Sequence, residues 1–322
     1  MVSEPIWATD HAIVTTMFGN EDIRYFRWIL EAANLNQYAH ETAAQPGLAV
    51  EKIRNIGVPF PSWLEQRRIA DFLDAKTAEA DELRSTIEQQ IETLEAYKRS
   101  VMTETVTTGL HPGSSMKPSE IPWVGLVPVT WKVDKLKYHL KRFEPRNPGD
   151  APVLSLYREL GIVLKDSWDD NHNVTSEDTS KYKYVRPGDF VVNKMKAWEG
   201  SVAVSDYKGI VSPAYSVYRF TDSEIIRRYF HYLLRSCYKD EFMRLSAGIR
   251  VGKWDLASEA LDHVPIFLPP KPEQQQIVDF LDMKVSELDE VIEIKWQQLE
   301  VLNEYRKALI FEYATGKKEV PA

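Results

Sequence analysis

Among its 322 residues the sequence has one cysteine, Cys237. A lone thiol excludes disulfides within the chain and any cysteine-rich zinc site, and its plain reading is a small buried hydrophobe on a helix. No run approaches the roughly 18 uninterrupted apolar residues of a membrane span, and the opening "MVSEPIWATD" lacks a basic stretch followed by an apolar one. The expected compartment is the cytosol, with no membrane partner. Histidine is thinly spread as well. His11, His40, His111, His139, His172, His231 and His263 offer no pair at ligand spacing, so neither a metal nor a cofactor is expected.

Enzyme motifs are missing too. "GIRVGKW" (Gly248–Trp254) has three residues between its glycines where a phosphate-binding loop has four, and Trp254 stands where Ser or Thr would hold magnesium. "PGDFVVNKMK" (187–196) lacks the second carboxylate of a metal-dependent nuclease, because Val192 and Lys194 stand two before its lysines. There is no Asn-Pro-Pro-Tyr type tetrapeptide and no Gly-rich loop after a strand. A catalytic subunit is not expected.

Positive charge is scarce overall, with a formal net charge of −8. The average hides a partition. Residues 1–60 carry a net −3, and residues 61–110 and 269–322 carry −4 each, whereas residues 111–268 hold 23 basic against 20 acidic side chains. Local field governs attraction to a polyanion, so the acidic total does not exclude nucleic acid.

What is present is a repeat. "EQRRIADFLDAKTAEADEL" from Glu65 returns as "EQQQIVDFLDMKVSELDEV" from Glu273, and residues 61–107 match 269–315 without a gap at 19 of 47 positions. Each copy follows a Pro-rich stop, "VPFPSW" or "LPPKPE", and then runs some 40 residues without Pro or Gly. A helix of that length measures ~60 Å. In the second copy Leu281, Val285, Leu288, Ile292, Leu299, Leu302 and Leu309 step by threes, fours or sevens. In the first, Leu73, Ile87, Ile91, Leu94 and Val101 follow more weakly. Such a stripe with charge on the other faces predicts a coiled-coil seam between the two copies.

A second correspondence sets residues 4–34 over 208–238 and pairs Arg24 with Arg228, Tyr25 with Tyr229 and Phe26 with Phe230. Both stretches read as a strand, a turn and an amphipathic helix. The intact globular part, 121–268, reads as α+β. "APVLSLY", "DFVVNKM", "GSVAVSD" and "AYSVYRF" are β-branched and aromatic runs bounded by Gly, Pro and Asp, hence strands. "SEIIRRYFHYLLRSCYKDEFMRLS" reads as one clear helix with a Ser cap.

The chain resembles the specificity subunits of type I restriction-modification systems. The resemblance is carried by the repeated "EQ…I.DFLD.K..E.DE" helices, by "EIPWVGLVPVTWKVDKL" (120–136), by "GIVSPAYSVYRF" (209–220) and by "LSAGIRVGKWDLASEALDHVPIFLPPKPEQ" (245–274). It implies an α+β fold in which target-recognition domains are joined by two long helices forming an antiparallel coiled coil. Residues 1–60 would be the C-terminal remnant of a first recognition domain and 61–110 the first spacer helix. Residues 111–268 would form a complete second domain and 269–322 the second spacer helix. The resemblance also implies double-stranded DNA as partner, docking of two methyltransferase subunits on the coiled coil, and a restriction/translocase subunit reached through the complex. On this reading the front of the first recognition domain is missing, and the half that remains exposes an open sheet edge.

Base readout and phosphate contact call for Arg, Lys, Asn, Ser and aromatic side chains on loops and strand ends. Two stretches qualify. "VVNKMKAWEGS" offers Asn193, Lys194, Lys196 and Trp198, the last three sharing one face of a strand by period two. "LSAGIRVGKWDL" offers Ser246, Arg250, Lys253 and Trp254 around two glycines that permit close backbone approach to a phosphate. Tyr157 and Arg158 of "SLYREL" are weaker candidates. The competing expectation is a scaffold or decoy that binds methyltransferase through the coiled coil and reads no DNA. The matching seams also allow self-association through the intact unit.

Overall fold

The computed structural model describes residues 19–38, 53–149, 151–158, 161–165, 178–248 and 254–321. The chain divides into two compact units. Unit 1 is Met1–Leu94 with Glu290–Ala322, and unit 2 is Glu95–Asp289.

In chain order, α1 (Ile23–Ala32) and α2 (Trp63–Thr108) come first. Short strands follow: β1 (Met116–Pro118), β2 (Leu126–Pro128), β3 (Lys132–Lys135), β4 (Leu140–Arg142), β5 (Leu154–Tyr157) and β6 (Gly161–Leu164). Next are β7 (Lys183–Val185), β8 (Phe190–Asn193), β9 (Val202–Val204), β10 (Gly209–Val211) and β11 (Tyr215–Phe220). After these stand α3 (Arg227–Cys237), α4 (Lys239–Leu245), β12 (Ser246–Ala247) and β13 (Asp255–Leu256). The chain then forms α5 (Ser258–Asp262), β14 (Pro265–Leu268) and α6 (Lys271–Ala314). The fold is α+β, as expected. Among the described residues no helix is long and apolar enough to cross a membrane.

Unit 2 is built on an antiparallel sheet in the order β4-β11-β8-β9, with two-stranded pairs β1–β2, β3–β14, β5–β6, β7–β10 and β12–β13 around it. Every residue of β8 is buried, so this strand carries no alternation and reads as an apolar run, Phe190–Val192, closed by a buried Asn193. The amphipathic α3 lays Tyr229, Phe230, Leu233 and Leu234 on the core, and Phe230 meets Phe190 and Phe220 edge-on at 5.1 Å each. Trp131 stacks on Phe267 at 5.8 Å. Cys237 is mostly buried on α3, and burial pushes its thiol up to about 12, as a packing role implies.

One sequence expectation needs correction. The segment 223–246 is two helices that break at Tyr238, and the N-cap of α3 is Ile226 rather than Ser223. No side chain of the cap itself satisfies the helix start. Instead the Ile226 amide donates to Gln274 Oε1 at 2.8 Å, from the head of α6.

The two long helices pair antiparallel within each unit. In unit 1 Asp81 meets Arg306 at 3.5 Å, and Ile87 and Ile91 pack against Ile292 and Leu299. In unit 2 Lys98 pairs with Asp289, and Val101 and Val106 pack in one core with Ile277, Leu281 and Val285. As the number rises on one helix it falls on the other. Of the predicted seam, Leu73, Ile87, Ile91, Leu281, Leu288, Ile292, Leu299 and Leu309 are buried, while Leu94, Val101, Val285 and Leu302 are half-buried. The stripe also runs through positions that apolar spacing missed. Thr77 and Ala80 are buried, and Thr77 satisfies its hydroxyl on the Leu73 carbonyl at 2.6 Å.

The repeat is repeated in atoms. Gln66 accepts from the Asp22 amide at 3.1 Å and donates to the Pro61 carbonyl at 2.9 Å. Gln274 accepts from Ile226 at 2.8 Å and donates to Pro269 at 2.9 Å. Arg24 reaches Asp74 at 3.2 Å, and Arg228 reaches Asp282 at 2.9 Å. Trp28 Nε1 donates to Asp74 at 2.9 Å where the Tyr232 hydroxyl donates to Asp282 at 2.5 Å. Both units therefore attach a helix to the head of a long helix by one set of contacts.

Candidate nucleic-acid interface

The candidate site grows out of the end of β8. That strand is held by β11 up to the pair Asn193–Tyr215, and there the chain turns. The Lys196 amide closes the turn on the Asn193 carbonyl at 3.0 Å, and a short 3₁₀ helix, Ala197–Glu199, follows. Gly200, at φ +92°, ends it in a conformation that side chains disfavour. The expectation that Lys194, Lys196 and Trp198 share a strand face is therefore overturned. Lys194 and Lys196 belong to a turn and Trp198 to a helical one, because the β11 ladder ends at Asn193–Tyr215 and only the Lys194 amide reaches on, to the Ala214 carbonyl at 3.3 Å.

The turn is tied to the second candidate segment. The Leu256 amide of β13 donates to the Lys194 carbonyl at 3.0 Å, and Lys194 Nζ lies 3.7 Å from an Asp255 carboxylate oxygen. Trp198 and Trp254 meet at 5.6 Å with their rings at 67°. Two clusters more than fifty positions apart in sequence thus form one surface.

The predicted residues take different parts in it. Asn193 is buried, with its side chain against the Tyr215 hydroxyl, whose pKa is raised by burial. The Ser246 hydroxyl is committed to the Phe242 carbonyl at 2.7 Å, at the end of α4. Trp198 Nε1 donates to the Met195 carbonyl at 3.0 Å and so braces the turn from within. Lys196 is exposed. Arg250 and Lys253 lie outside the described residues. Tyr157 is half-buried, and its hydroxyl has no hydrogen-bond partner among the described residues. Arg158 is exposed, and its carbonyl receives the Arg235 guanidinium.

Sequence reasoning missed Met195, which stands 47% exposed at the tip between the two lysines. Reading the stretch as a strand hid it. The Asn-Lys-Met-Lys run carries no Gly or Pro to mark a turn.

The family described as the type I restriction modification DNA specificity domain matches residues 1–93 and 132–305. The chain belongs to this family. Among curated members, it is 28% identical over 280 residues to the type I restriction enzyme MjaVIII specificity subunit of Methanocaldococcus jannaschii, covering 83% of this chain and 63% of that one. It is 24% identical over 293 residues to the putative MjaX specificity subunit of the same organism, covering 89% and 65%. The chain thus spans somewhat less than two thirds of the length of these relatives. A solved structure from a study of complex assembly and conformational transition in the type I R-M system superposes with a TM-score of 0.65 at 17% identity, covering 92% of this chain and 70% of that one. That likeness shows a shared fold. The paired Gln66–Gln274 and Arg24–Arg228 contacts fall within the family match.

Proposed function

We propose that this chain is a non-catalytic DNA-reading subunit of a type I restriction-modification complex. In this reading residues 111–268 grip one half of a bipartite site. The helices in 61–110 and 269–322 are the spacer on which methyltransferase subunits dock, and residues 1–60 belong to a first recognition domain. The observation that supports it most is the meeting of the Lys194–Trp198 turn with Trp254–Leu256 on one braced surface within residues 111–268, which hold 23 basic against 20 acidic side chains.

Phosphate contact by a lysine releases about one counterion. Lys196→Ala is therefore expected to weaken binding to all sequences alike and to lower the slope of log K against log salt by about one unit. The measurement is fluorescence anisotropy on duplex DNA, with the chain assembled with its methyltransferase subunits, across a salt series. Mapping of methylated positions in cells that carry the complex supplies the sequence read. A complex that assembles but methylates no defined sequence would reject the reading in favour of a scaffold or decoy acting through the helices.

A further inference from the structure

A strand in unit 2 covers an edge whose counterpart in unit 1 no described residue pairs. In unit 2, β14 runs antiparallel to β3, with Ile266 opposite Asp134 and Leu268 opposite Lys132. The Leu136 amide donates to the Val264 carbonyl at 3.0 Å. Antiparallel pairing alternates bonded and non-bonded pairs. Val264, Ile266 and Leu268 therefore turn their backbone groups toward β3, and Pro265 and Phe267 turn theirs away. Two tyrosines occupy that far side. The Tyr238 hydroxyl donates to the Pro265 carbonyl at 2.8 Å and the Tyr229 hydroxyl to the Phe267 carbonyl at 3.2 Å.

Residues 57–60 of unit 1 take the same place, 208 positions earlier. The Ile56 amide meets the Ile53 carbonyl at 3.2 Å as Val264 meets Leu261 at 3.0 Å. The Tyr25 hydroxyl donates to the Pro59 carbonyl at 2.9 Å as Tyr229 does to Phe267. With the Pro59 carbonyl aimed at Tyr25, Val58 and Phe60 aim their backbone groups the other way, where β3 would lie. No described residue hydrogen-bonds them. Phe60 is 60% exposed where Leu268 is 6%, and the apolar surface continues through Trp63 and Leu64. Pro59 is no obstacle to pairing, because it stands at the register position whose N–H the ladder does not use.

We infer that the edge at Val58–Phe60 accepts an extended strand from a second polypeptide with the alternating chemistry of Trp131–Leu136. The occupied edge of unit 2 defines that chemistry. It is an aromatic residue to lie on Pro59, as Trp131 lies on Phe267, followed by a free amide facing each of Phe60 and Val58. Strand addition of this kind draws affinity from the main chain and specificity from alternate side chains. A second copy of this chain has its own β3 already paired, so like-with-like pairing of two Val58–Phe60 edges is the competing outcome. The inference does not rest on DNA reading.

The probe is a fluorescent peptide with the sequence of residues 129–138, titrated into the full chain. Saturable one-to-one binding is expected. N-methylation at the position of Asp134, which faces Val58, is expected to weaken it tenfold or more, and N-methylation at the position of Val133 less than threefold. Val58→Pro removes the edge donor in unit 1 and leaves unit 2 intact, and is expected to weaken binding tenfold or more. Should Val58→Pro disturb unit 1 itself, the contrast between the two methylated peptides on the unaltered chain decides alone. Equal effects of the two methylations, binding indifferent to Val58→Pro, or no binding at millimolar peptide would overturn the inference. So would self-association that Val58→Pro abolishes while the peptide fails to bind.

Discussion

Replacing Gln274 with leucine is expected to destabilise unit 2 by about 3 kcal/mol or more, a large share of a typical domain's stability. The side chain is 1% exposed and ties three backbone groups from two separate segments. Its oxygen accepts from the Ile226 amide at 2.8 Å, and its amide donates to the Pro269 carbonyl at 2.9 Å and the Glu224 carbonyl at 3.0 Å. Leucine fills a similar volume but leaves all three groups without partners, each at a cost of about 1–3 kcal/mol if water does not reach it. Ile226 is the more exacting loss. It caps α3, and its own side chain makes no cap bond. The same reasoning applies in unit 1 to Gln66→Leu, which strips partners from Asp22 and Pro61. Urea unfolding followed by far-UV dichroism and tryptophan fluorescence measures both. A loss under 1 kcal/mol in either variant would show that the clasp is ornamental there.

That clasp marks where the sequence stops being legible. The shared Gln66 and Gln274 were visible as letters in the repeat, but nothing in a charged amphipathic helix distinguishes a buried glutamine from its exposed neighbours. Its burial follows from a partner helix arriving from elsewhere. The long helices were readable because a 3–4 stripe over forty residues has few alternatives. Even so, the stripe's small members, Thr77 and Ala80, escaped a search for branched apolar side chains. Strands β5, β8, β9 and β11 announced themselves through Val, Leu and Tyr. Strand β3 is lysine-rich and β14 sits among prolines, so neither showed that it existed to cover the other. In the candidate site the residue types were legible and their geometry was not. Trp198 was expected on a strand face beside two lysines, and it lies instead under the turn that carries them, braced by Trp254. Tertiary pairing decides where β8 ends, and a period of two has no means of marking that point.

Mild acid is expected to weaken unit 2 through His231. The imidazole is carried by α3, where burial, followed by the positive charges of Arg235 and Arg228, pulls its pKa down to about 3 against the opposing charge of Asp282. The Val204 amide points at its Nδ1 from 3.4 Å. In the unfolded chain the same ring titrates near 6.5. A depressed folded pKa means that the unfolded state takes up the proton first. Stability is therefore complete above about pH 6.5 and falls as the pH drops toward the folded value, by up to ~1.4 kcal/mol per pH unit. Between pH 6.5 and 4.5 the loss from this ring alone is expected to be about 2 kcal/mol, with residual solvent contact trimming the full slope. Carboxylates contribute their own loss mainly below that window, so the window isolates the histidine. His231→Gln removes the titration at some cost in packing that does not vary with pH. The urea midpoints of the two proteins should accordingly converge as the pH is lowered from 7 to 4.5. A constant gap between them across that range would mean that His231 titrates normally in the folded protein, and that the ring is far wetter than its place behind Val204 and Arg235 implies.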